Sequence, residues 1–172
     1  MAGPTHKDQR WYAVYTRSKS EKVAFKALTA AGIHAYLPLM KKIRLYNRKR
    51  KEVELPLISC YVFVKIDESE YIKVLQSPNV IDFVRFSSEM ISIPEEEIEM
   101  LRRILGEGWE VNVQKDSFAE GDLVEVASGN LTGMKGYIVG NSENRQLLVN
   151  FKHLGLGLEI SISRDLLTKA LS

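Results

Sequence analysis

Residues 118–140 read FAEGDLVEVASGNLTGMKGYIVG and alternate short apolar groups with turn chemistry. Leu123 and Val124, then Tyr137, Ile138 and Val139, have the β-branched and aromatic character of strands. Gly121, Gly129, Gly133, Gly136 and Gly140 punctuate them. Glycine at such spacing serves tight strand connections, where the backbone takes φ values that a side chain resists. The pattern predicts a small all-β barrel over residues 118–172, with further strands near 146–150 and 158–162.

Upstream the periodicity changes. Residues 10–16 (RWYAVYT) suit a strand, and Ser18 to Glu21 form a capping-box pattern ahead of Val23, Ala24, Ala27, Leu28 and Ala31 at helical spacing, which Gly32 ends. Extended structure over 33–46, broken at Pro38, leads through a basic tip at 47–51 into a return strand at 53–57. A buried strand at 60–66, a short helix opened by Asp67 and a strand at 80–86 follow. The last helix has Pro94 in its first turn, Glu95 to Glu97 at its positive end, Ile98, Leu101 and Leu105 on one face, Arg102 and Arg103 near its negative end, and Gly106 after it. This order predicts an α+β domain over 9–106, with helices packed on a mostly antiparallel sheet. Residues 107–117 show little apolar periodicity and read as a linker, spanning roughly 18 Å as a flexible coil.

With 45% hydrophobic and 27% charged residues in 172, a packed core is expected. No apolar run approaches the roughly 18 residues of a membrane helix, and MAGPTHKDQR lacks the apolar region of a secretory signal, so a cytoplasmic location is expected. The single cysteine, Cys60, has no internal disulfide partner and sits in ISCYVFVKI, which favours a buried small hydrophobe. Charge is sorted along the chain: residues 1–51 carry +11 and residues 52–172 carry −9. One surface therefore attracts phosphate while another repels it.

The residues at 118–140 closely resemble a KOW motif, with Gly121-Asp122, Val124, Val126, Gly129, Gly133 and Gly136 in the matching places. Trp11-Tyr12, Glu21, a basic hairpin, Tyr61-Val-Phe-Val64, then Val80, Phe83 and Val84, extend the resemblance to the whole length of the NusG family. Asp82-Phe-Val-Arg-Phe86 and Ala35-Tyr-Leu-Pro-Leu39 are closer to specialised antiterminator paralogues of the RfaH and UpxY type than to the housekeeping factor. The resemblance implies a ferredoxin-like NusG N-terminal domain and an SH3-like KOW barrel. Two departures stand out: Ile58-Ser-Cys60 replaces the usual aromatic-Pro-Gly before Tyr61, and Lys152-His-Leu-Gly-Leu-Gly157 replaces Phe-Gly-Arg. The first implies loss of the tight turn and a reshaped pocket. The second weakens any transfer of contacts with Rho or a ribosomal protein.

Trp11, Tyr12, Ile58 and Tyr61 converge if the first strand lies beside the strand at 60–66. The residues alone fit a core or a half-open patch equally; the resemblance implies a patch that grips the clamp helices of the polymerase β′ subunit, which requires Trp11 and Tyr61 to be accessible. Lys41, Lys42, Arg44, Arg48, Lys49, Arg50 and Lys51 are seven cations in eleven residues without an acid, interleaved with Leu45 and Tyr46. Alone they fit a solvated loop; with the resemblance they imply a hairpin along phosphates, with Tyr46 stacked on a base. Arg17 and Lys19 flank the first helix and could add to an anion-binding surface.

His6, His34 and His153 have no metal-ligand spacing, and no nucleophile elbow, Walker loop or paired-Cys motif occurs, so neither catalysis nor a cofactor is expected. The glutamates at 95–97 and 99 favour a helix start rather than a metal. What the resemblance implies is a monomeric, non-enzymatic elongation and antitermination factor, serving particular operons. It would ride on RNA polymerase, touch upstream or non-template DNA, read bases near Arg17, Lys42 or residues 67–71, and recruit a second protein through the KOW domain. A ribosome-associated KOW RNA-binding protein and a housekeeping NusG-type factor are the alternatives. The leucines of the KOW segment leave a refolding into helices conceivable, but its glycines, each costing about 1 kcal/mol in a helix, argue for the barrel.

Overall fold

The computed structural model describes residues 7–109, 111–115, 121–140 and 145–170. His6 and the first three residues of the glycine-rich stretch, 118–120, lie outside them. The chain divides into two units, Met1–Ile98 and Glu99–Ser172.

The first unit runs β1 (Arg10–Thr16), α1 (Glu21–Ala30), β2 (His34–Tyr36), β3 (Leu39–Tyr46), β4 (Lys49–Pro56), β5 (Tyr61–Ile66), a 3-10 turn at Glu68–Glu70, α2 (Tyr71–Leu75), β6 (Val80–Phe83), β7 (Arg85–Phe86), β8 (Glu89–Met90) and the start of α3 (Glu95–Gly106). Four strands form one sheet in the order β2-β5-β1-β6. Side chains alternate along β1, so Tyr12 and Val14 face one way and, with Val62, Val64 and Ile66 of β5, form a core under Ala24 and Leu28 of α1 and Val74 of α2. Trp11, Ala13 and Tyr15 face the other way, opposite Lys65, Phe63 and Tyr61.

β3 and β4 stand apart as a two-stranded sheet. Their turn is Asn47-Arg48, both at positive φ (47° and 65°), the geometry that matches a two-residue hairpin to strand twist. β7 and β8 form a second small hairpin between Val84 and Ile93, both of which bond to β1: Val84 N–H to the Ala13 carbonyl and Ile93 N–H to the Trp11 carbonyl, each 2.8 Å.

Three local expectations change. Ser20 caps α1 without a side-chain bond, so the capping box is not formed. Glu21 is buried instead, and its carboxylate accepts the Cys60 N–H at 2.7 Å. Cys60 itself is half-buried rather than buried, at φ 64°. The tight turn therefore survives without Pro-Gly, with cysteine strained into a left-handed conformation that glycine adopts freely. Cys60→Gly is expected to raise thermal stability by up to about 1 kcal/mol, the relief of strain exceeding the added unfolded-state entropy; a lower melting temperature would refute this.

The second unit holds the rest of α3 and one antiparallel sheet. Its strands are β9 (Val111–Lys115), β10 (Leu123–Val126), β11 (Lys135–Gly140), β12 (Arg145–Phe151), β13 (Leu156–Ser161) and β14 (Leu167–Lys169), ordered β14-β10-β11-β12-β13-β9. Residues 107–117, read as a linker, thus contain a strand: β9 pairs with β13 from Val111↔Ile160 to Lys115↔Leu156. Alternating Val111, Asn112 and Val113 carry too few apolar residues to stand out in sequence, and the pairing is decided by β13's open edge. Gly136 is required for space rather than φ, since a Cβ there would lie 2.5 Å from the Leu148 carbonyl oxygen. Gly129 and Gly133, at φ 85° and 82°, instead supply the turn beside Leu131, which is buried. Within this unit, the Arg103 guanidinium on α3 donates to the Asn130 and Thr132 carbonyls of that turn at 2.8 and 2.9 Å. Among the described residues, no helix is long and apolar enough to cross a membrane.

Candidate functional site

The aromatic face of the first unit is closed at one end and open at the other. At the closed end Trp11 is 1% exposed, lies 5.0 Å from the His34 ring and pairs with Ile93, while Lys65 forms a 2.6 Å ion pair with Glu95. A shallow hollow of about 230 Å³ beside it is lined by Gln9, Arg10, Ser92 and Pro94 as well as the edge of Trp11. Tyr12, 3% exposed, lies on the other side of the sheet and meets Phe83 edge-on at 6.3 Å. The expectation that Trp11 and Tyr12 share a half-open patch is therefore corrected. Adjacent strand residues point to opposite faces, and here both faces are covered at that position.

The open end is formed by Tyr15 and Tyr61. Directly opposite in register, their rings meet at 4.9 Å and 60°, and the Tyr61 hydroxyl donates to that of Tyr15 at 3.2 Å. Tyr15 is 39% exposed; Tyr61 and Ile58 are half-buried. Burial, reinforced by the Tyr15 hydrogen bond, pushes the Tyr61 phenol up to about 12, so Tyr61 presents a neutral ring across physiological pH. Two rings on rigid strands, each with an apolar body and a polar tip, suit a protein–protein contact. Tyr15 was missed in the sequence. The signal was the two-residue spacing Trp11-Ala13-Tyr15, but which of the three would be uncovered depends on the chain returning at Ile93.

The basic hairpin is exposed along residues 41–52. Cross-strand partners share a face, and the register Lys42↔Val53, Arg44↔Lys51, Tyr46↔Lys49 places four cations and Tyr46 together with no acid among them. Lys41, opposite Glu54, and Arg50, opposite Leu45, lie on the reverse face, where Lys41 pairs with Glu52 at 3.1 Å. Arg48 occupies the turn. The ten predicted nucleic-acid residues are thus not one cluster. Arg17 and Lys19 belong to the exposed turn before α1. Residues 67–71 form a compact cap: Asp67 accepts from the Ser69 hydroxyl and N–H, which lowers its carboxyl below the usual range, and the Glu70 carboxylate takes the Asp67 N–H. Among the described residues, no group of three or more His, Cys, Asp or Glu could hold a metal ion.

An N-terminal α+β unit carrying an open aromatic end and a basic hairpin, followed by a glycine-turned antiparallel sheet, defines a two-unit architecture. Residues 9–102 match the family described as NusG, transcription termination factor nusG. The chain belongs to the NusG family. The transcription termination/antitermination proteins NusG of Streptococcus pyogenes serotypes M3 and M1 are each 28% identical over 159 residues, covering 83% of this chain and 87% of theirs. A solved structure of Thermotoga maritima NusG shares the fold, with TM-score 0.57 at 20% identity over 95% of this chain and 98% of that one.

Proposed function

We propose that this NusG-family protein is a non-enzymatic transcription termination/antitermination factor, operon-specific, that binds RNA polymerase at its clamp and suppresses pausing and termination. The observation that carries this reading is the open Tyr15–Tyr61 end of the sheet, flanked by Ile58, on an otherwise covered face. The docking surface is Tyr15, Ile58 and Tyr61, with Trp11 and Tyr12 supporting it from inside. The lysine- and arginine-bearing face of the hairpin lies on upstream or non-template DNA, whose negative phosphates its positive charge complements. The second unit is the KOW domain, an SH3-like barrel that recruits a further protein. Binding that favours the closed clamp over the open one is sufficient to bias the polymerase against pausing. The absence of Pro-Gly before Tyr61, with cysteine holding the turn, supports a specialised paralogue over the housekeeping factor.

The test is transcription by purified polymerase over a template bearing a pause and a terminator. Added protein is expected to increase read-through, and Tyr61→Ala, folded by circular dichroism, is expected to lose both that effect and recovery of polymerase in a pull-down. Full polymerase recovery by the folded variant would count against the surface. Binding to purified ribosomes without polymerase would favour the ribosome-associated alternative.

A further inference from the structure

The reverse face of the β3–β4 hairpin is unlike the face assigned to nucleic acid. Period-two alternation and the register place Lys41, Ile43, Leu45, Arg50, Glu52 and Glu54 on it. Ile43 and Leu45 are 68% and 72% exposed on neighbouring rungs. The two cations and two carboxylates around them balance.

We propose that this reverse face docks on a protein surface of the transcription complex, apolar at its centre and bearing charges of both signs at its rim, while the opposite face lies on nucleic acid. The inference rests on the polymerase reading above. Charge selects the occupant. Glu52 and Glu54 repel phosphate, so the reverse face does not continue the nucleic-acid surface. A second copy of the chain is disfavoured as well, because each hairpin carries seven basic residues against two acidic ones and two such blades repel. A mixed-charge protein rim around an apolar centre answers both the aliphatic pair and the balanced charges. The mechanical situation agrees. A two-stranded hairpin alone is marginal in water, and contacts on both faces would hold it as a blade between protein and nucleic acid.

The experiment uses the full chain with Ile43→Ser and Leu45→Ser together, both exposed and so without cost to the core. Affinity is measured for purified polymerase elongation complexes and, separately, for a single-stranded oligonucleotide. The double variant is expected to lose at least about tenfold affinity for the complexes, with oligonucleotide affinity and its salt dependence unchanged. Wild-type affinity for the complexes overturns the proposal, as does an equal loss on both ligands. So does sedimentation showing a wild-type dimer that the variant abolishes, which would make the face a contact between copies. If the wild-type chain fails to bind elongation complexes, the polymerase reading falls and takes this one with it. Loss of binding by Tyr61→Ala alongside full binding by the double variant removes this inference alone.

Discussion

Trp11→Ala is expected to unfold the N-terminal unit rather than to disable a docking surface. Trp11 is 1% exposed, its ring is edge-on to His34, and its backbone is bridged to Ile93. Truncating a buried Trp costs about 3–5 kcal/mol, a large share of the roughly 5–15 kcal/mol that holds a domain together. Circular dichroism melting should show a low or broadened transition for Trp11→Ala, whereas Tyr15→Ala, partly exposed on the same strand and face, should melt near the wild type. Polymerase recovery should fall in both, but only Tyr15→Ala should do so while folded. A Trp11→Ala protein with unchanged melting and lost polymerase binding would return the indole to the interface.

Charge reversal on the hairpin is expected to depend on which face is altered. Four cations contacting a single strand should give a slope of log affinity against log salt of roughly −2.8, about a fiftyfold loss over a fourfold rise in salt. Arg44→Glu with Lys51→Glu, opposite each other on the acid-free face, should bring the slope to roughly −1.4 or shallower. Lys41→Glu with Arg50→Glu changes the same net charge on the reverse face, where Lys41 is already paired with Glu52, and should leave the slope near the wild-type value. Titration of a fluorescent oligonucleotide at several salt concentrations distinguishes the two. Equal effects from both pairs would mean that the hairpin acts only as a diffuse charge.

Much of the fold was legible because its signals are local. Glycine spacing announced β10 and β11, a basic tip between two extended runs announced the β3–β4 hairpin, and Pro94 with three glutamates announced α3. β9 escaped because its short alternation carries only two apolar residues, and its partner β13 lies more than forty residues on. The capping box at Ser18–Glu21 failed for a related reason. Its pattern was present, but Glu21 gains more by accepting the Cys60 N–H from a distant turn than by serving its own helix end. The exposure of the aromatic set was half legible: Tyr61 and Ile58 are half-buried at the open end of the sheet, whereas Trp11 and Tyr12 were assigned an exposure that only packing decides.

Residue chemistry by itself determined that this chain has a crowded run of cations and a set of aromatics near its start, because composition and turn propensity act over a few neighbouring residues. Tertiary structure decided which of those aromatics meet water and which cations stand together. Burial depends on segments that return from far along the chain, as Ile93 does to β1. A one-residue change in strand register would exchange the two faces of the hairpin.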